Sequence, residues 1–71
     1  MNYVMLNSSN IAAVAYEELT KTLGVRFHSG TEYEYANVPI SIFSGIRSAV
    51  SPGSYFDQHV RKAGFAFRQV R

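Results

Sequence analysis

Tyrosine and arginine supply most of the side chains in this sequence whose types and spacing suit recognition chemistry. Tyr33 and Tyr35 alternate with Glu32 and Glu34, so an extended strand would put both rings on one face and both carboxylates on the other. Rings so placed serve as stacking platforms for unpaired bases, with Arg26 or Arg47 nearby to hold phosphates. The same alternation also describes the core face of a sheet lying under a first helix. A second set follows in Tyr55, in His59 one helical turn later, and in Arg61 and Lys62, an aromatic interleaved with cations. A boundary tyrosine beside cations favoured at a helix C-terminus accounts for that set equally well.

Catalytic and metal chemistry find little to work with. His28 and His59 are the only histidines, fall on different predicted elements and lack metal-ligand spacing with an acidic partner. No serine sits in a nucleophile-elbow pattern, no glycine-rich phosphate loop occurs, and cysteine is absent. We therefore expect no catalytic residue, no metal, no cofactor and no enzymatic activity.

A chain of 71 residues is one domain, 1–71, near the lower limit of what folds alone. Five Tyr and five Phe compensate, since each buries roughly 150–250 Å² and so offsets much of the ordering entropy. The lack of cysteine excludes a disulfide framework and fits a reducing, cytoplasmic setting. The apolar opening ends by Asn7, too short for a signal peptide or a membrane span of roughly 20 residues.

Charge is divided along the chain. Residues 1–37 hold Lys21 and Arg26 against four glutamates, a net of −2, whereas residues 38–71 hold five cations against Asp57, a net of +4. A positive second half suits phosphates or acidic proteins, although a solvated face is the commoner origin of so modest an excess.

The elements that must position these groups follow from periodicity. Residues 11–16 are small, β-branched or aromatic and read as a strand. After a polar turn at 17–20, Leu23, Val25 and Phe27 alternate with Gly24, Arg26 and His28 as a second strand. Ser29 and Gly30 make a tight connection into a third strand over 31–36, whose register is well specified because a one-residue slip would bury two carboxylates. Pro39 suits a first helical position, and Ile42, Phe43, Ile46, Ala49 and Val50 recur at helical spacing. Gly45 costs that helix about 1 kcal/mol relative to Ala, which a close approach to the sheet would explain.

A second helix is capped either by Ser51, with Pro52 at the first position, or by Ser54 with Asp57 three residues on. Its apolar stripe is Phe56, Val60 and Ala63, and Gly64 supplies a left-handed cap. Residues 65–71 alternate again and offer an edge strand, as do residues 3–6. The expected fold class is α+β, a three- to four-stranded antiparallel β-meander packed against two α-helices.

The ordered set Ser8, Ser9, Asn10, Ile11; Val14, Ala15, Tyr16; residues 22–27; Gly30, Thr31, Glu32, Tyr33, Glu34, Tyr35; Asn37, Val38, Pro39; and Gly53, Ser54, Tyr55, Phe56 resembles the KTSC domain. That family takes its name from a C-terminal extension of some lysyl-tRNA synthetases and also occurs as short stand-alone bacterial and phage proteins. The resemblance covers nearly the whole chain and implies an α+β domain of this length with a role in RNA binding. Two positions depart from it: Ala15 replaces a common Gly, and Phe65 with Phe67 replaces a second Tyr-x-Tyr. Ring faces persist there without the hydroxyls.

The expectation is a small non-catalytic module that binds RNA of the tRNA kind through a basic, aromatic surface, with Arg26, Tyr33, Tyr35, Arg47, Tyr55, His59, Arg61 and Lys62 as its residues. The alternative partner is a protein, or a second copy of the chain in a homodimeric accessory factor.

Overall fold

The computed structural model describes residues 1–71. Five strands form one antiparallel sheet in chain order: β1 (Val4–Met5), β2 (Ile11–Glu17), β3 (Thr22–Phe27), β4 (Glu32–Tyr35) and β5 (Phe67–Gln69). Two helices, α1 (Ile40–Ser48) and α2 (Pro52–His59), and a 3-10 turn over Arg61–Ala63 intervene between β4 and β5. The fold is α+β, and both candidate edge segments are strands, which raises the strand count from the expected three or four to five.

Alternation sets the two faces. Val14 and Tyr16 of β2 lie opposite Val25 and Leu23 of β3, which in turn lie opposite Tyr33 and Tyr35 of β4. Ile11, opposite Phe27, joins this face because a bulge between Ile11 and Ala13 absorbs one residue. The helices cover the face with Ile46 and Phe56, Val60 just past the end of α2 packs beside them, and Val38 completes the buried cluster. Phe56 is wedged edge-on between Phe27 and Tyr35, with ring centroids 5.7 and 5.6 Å away. Burying such a ring contributes roughly 1.5–3 kcal/mol, a large share for so small a domain.

Turn geometry closes the meander. Gly30 has φ +97°, a left-handed value that glycine adopts without strain, and its amide donates to the Phe27 carbonyl at 3.0 Å. Lys21 and Asn37 also take positive φ. The Val38 amide donates to the Lys21 carbonyl at 2.9 Å, tying the entrance of α1 to the β2–β3 turn.

Four expectations about the helices are corrected. Pro39 has ψ 144°, so it precedes the helix, its carbonyl accepting from the Ile42 amide at 3.0 Å, and Ile40 opens α1. The helix stops at Ser48 because Ala49 is extended; Val50 therefore leaves the apolar stripe and is fully exposed. Pro52 begins α2 after Ser51, which favours the first of the two caps, but the Ser51 hydroxyl bonds Ser54 Oγ at 3.1 Å and caps no amide. α2 ends at His59, so Ala63 falls on the 3-10 turn and is exposed, while Gly64 takes the left-handed conformation with φ +85°.

Gly45 is explained by a different neighbour from the sheet. The nearest side chain is Tyr55 of α2, whose ring occupies the space a Cβ at position 45 would need. On the opposite sheet face, Tyr3 and Met1 lie over Gly24.

Candidate functional site

The rings of β4 are divided by the edge of the helical layer. Tyr35 is 5% exposed beneath Phe56, whereas Tyr33, two residues back on the same face, lies half-buried beyond it. The two rings stack with centroids 6.4 Å apart. Both belong to the core face, yet the helix beside them is α2 and not α1. α1 instead places Phe43 on Tyr16 of β2, centroids 5.5 Å apart.

β5 completes the arrangement. Its register sets Phe67 opposite Tyr35 and Gln69 opposite Tyr33, so Phe67 joins the same face at 5.5 Å from Tyr35 and 5.8 Å from Tyr33. With Phe27, Thr31 and Arg61 these rings line an open cleft of about 400 Å³. Phe67 is 62% exposed, a large apolar ring at the mouth of that cleft.

Arg61 stands at the rim on the 3-10 turn. Its Nε and Nη2 donate to the two Asp57 carboxylate oxygens at 2.8 and 3.1 Å, one helical turn apart. Those hydrogen bonds hold the Asp57 carboxyl below its usual range and raise the guanidinium. Burial pushes the Tyr35 phenol up, the Tyr33 phenol adds to this, and Arg61 pulls it back.

The other expected site residues are dispersed. Arg26 lies on the opposite sheet face, 4.1 Å over the Tyr3 ring, with its Nε donating to Glu32 at 2.7 Å, so it cannot serve rings on the helix face. Arg47 sits 5.5 Å over Phe43, on the β2 side of the helical layer, and does not line the cleft. Tyr55 and His59 meet at a tilt on α2 with ring centroids 4.2 Å apart, Tyr55 half-buried against Gly45 and His59 exposed. Lys62 is exposed beside Arg61 in the chain. The structure thus unites Tyr33, Tyr35 and Arg61 and adds Phe27, Thr31 and Phe67.

The basic second half is also less basic than its composition. Arg68 pairs with Glu34 at 3.0 Å and Arg71 with Glu32 at 3.5 Å, so glutamates of the acidic half neutralise arginines of the other half across β4–β5. With Arg61 and Arg26 paired as well, Arg47, Lys62 and Lys21 are the side-chain cations without a carboxylate partner. No helix is long and apolar enough to cross a membrane.

Sheet, helix pair and cleft together define a small α+β domain of five antiparallel strands. The KTSC domain family model matches residues 7–65, and the chain belongs to that family. It is 39% identical over 62 residues to a lysine–tRNA ligase of Nostoc punctiforme and 37% identical to one of Trichormus variabilis, matches that take in 87% of this chain. The chain spans only 11% of the length of those ligases. Among solved structures, a KTSC domain protein from Yersinia pestis is similar with a TM-score of 0.86 and 31% identity, covering 99% of this chain and 97% of that one.

Proposed function

We propose that this domain is a non-catalytic module that binds single-stranded or looped RNA, of the kind a tRNA presents, in a cytoplasmic setting. The observation that carries this reading is the aromatic cleft at the β4–β5 edge, open to solvent, with Arg61 at its rim. Exposed rings on a sheet face offer stacking surfaces that every base can use, and a guanidinium offers a phosphate contact. The similarity to lysine–tRNA ligases supports RNA as the ligand class. The Arg61 ion pair is no obstacle, because a pair this exposed is worth little and is screened by salt, so a phosphate can compete for the guanidinium. Titration of the protein with tRNA at increasing salt tests the reading: affinity should fall as salt rises, and absence of binding at low salt would defeat it.

A second reading, a protein partner or a second copy of the chain, is favoured by one observation. Four of the arginines are already paired with carboxylates, leaving a surface whose exposed feature at the cleft is the apolar ring of Phe67. Solution mass and affinity capture with and without nuclease separate the readings. A dimer, or a defined protein retained after nuclease, would favour this one.

A further inference from the structure

We propose that the cleft between Phe27, Tyr33 and Phe67 is a single-nucleotide subsite. It seats one unstacked base against the exposed ring of Phe67 and the half-buried ring of Tyr33, while Arg61 exchanges Asp57 for the phosphate beside that base. This deepens the RNA reading above and rests on it.

Four features of the cleft specify such an occupant. Its volume of about 400 Å³ accommodates a base with its sugar but not a stacked duplex. Three of its walls are ring faces or edges, Phe27 meeting Tyr33 edge-on at 6.0 Å and Phe67 tilted against Tyr33 and Tyr35. None of its lining residues is a carboxylate, and Arg61 is the single formal charge among them, so the carboxylate an incoming anion must displace is that of Asp57, on the far side of the guanidinium's pair. Polar reach comes from Thr31 and the Tyr33 hydroxyl, which donates to Gln69 Oε1 at 3.3 Å from the exposed side.

Arg61 is suited to changing partners. The bonds to Asp57 use Nε and Nη2 and leave Nη1 uncommitted, and both side chains are well exposed, at 60% and 40%. A phosphate presents two oxygens at nearly the spacing of a carboxylate, so the same planar fork fits either. Asp57 therefore holds the guanidinium at the rim before RNA arrives and competes with the phosphate afterwards.

The test uses the full chain and a single-stranded oligoribonucleotide carrying one 2-aminopurine, followed by anisotropy and by 2-aminopurine emission, which stacking quenches. The wild-type chain should bind and quench. Phe67→Leu keeps apolar bulk for β5 but removes the ring, and should weaken binding about 5- to 100-fold and abolish the quench. Phe67→Tyr should retain both. Arg61→Gln should lower the salt slope by about 0.7, and Asp57→Asn should tighten binding by about 1.5- to 5-fold. RNA binding with no quench, and with Phe67→Leu unchanged while its thermal melt matches wild type, would overturn the subsite and leave the RNA reading standing. No RNA binding at low salt would overturn both, and equal affinity for a blunt RNA duplex would overturn the single-nucleotide assignment.

Discussion

The Tyr55 ring lies directly on Gly45, filling the volume any β-carbon at that position would occupy and bringing α1 and α2 together. Gly45→Ala should therefore lower stability by about 1–2 kcal/mol net, overpacking outweighing the roughly 1 kcal/mol of better helix propensity. In a Tyr55→Ala background the same substitution should stabilise by about 0.5–1 kcal/mol. Urea unfolding of the four proteins gives the sign in each background. Equal signs would show that the ring is not what demands glycine.

Tyr16 donates its hydroxyl to the carbonyl of buried Val38, where the chain leaves β4 for α1. Tyr16→Phe strands that acceptor while keeping the stack on Phe43. A loss of about 1–2 kcal/mol is expected, read as a drop of roughly 4–8 °C in Tm per kcal/mol. An unchanged Tm would mean that water satisfies the carbonyl in the variant.

Glu32 is the junction of two arginines, accepting from Arg26 at 2.7 Å and Arg71 at 3.5 Å, with only 12% of its side chain exposed. Glu32→Gln should cost about 1 kcal/mol and should make stability less sensitive to salt. Urea midpoints at low and at 1 M salt check this: the gap between wild type and variant should narrow at high salt.

Stability should fail from the alkaline side. Burial raises the phenols of Tyr3, Tyr16 and Tyr35 above their ordinary value of 10.0, with Glu32 adding at Tyr3, Glu18 at Tyr16 and the Tyr33 phenol at Tyr35. The folded state thus retains protons that the unfolded chain releases. Its advantage is complete below about pH 10 and is lost as pH climbs through the raised folded values. Tm should stay level between about pH 7 and 9 and decline above about 10, with phenolate absorbance rising as the circular dichroism signal falls. Phenolate appearing in full before any loss of fold would contradict it.

Much of the sheet was legible because its determinants are local. Leu23, Val25 and Phe27 alternate within one strand, Gly30 marks one turn, and Glu32 and Glu34 forbid a register slip, so β2, β3 and β4 follow from neighbours a few residues apart. The cleft depends on pairs remote in sequence. Glu34 and Arg68 are paired across a connection holding both helices, and no period reveals that Arg68 will be neutralised or that Phe67 will face Tyr35. Arg26 is legible by contrast: it alternates with Val25 and Phe27, so period two alone puts it on the other sheet face, over Tyr3 and away from the rings of the cleft. Val50 fits helical spacing, yet Ala49 before it is already extended and α1 ends at Ser48, while Pro52 restricts only Ser51; spacing alone does not reveal that stop. Gly45 marked a close approach whose partner only the helix pair supplies.

Strand order follows chain order, and that has a kinetic meaning. The three junctions from β1 to β4 close over short connections, while β4 and β5 meet only after residues 36–66 have been gathered in. Closing a loop of about 30 residues costs several kcal/mol of chain entropy before β5 can return any of it, so that strand docks last and detaches first. Phe67 and the ion pairs of Arg68 and Arg71 arrive with it. The aromatic cleft is thus the youngest part of the molecule each time it folds, and its amides should be the first in the sheet to exchange with solvent.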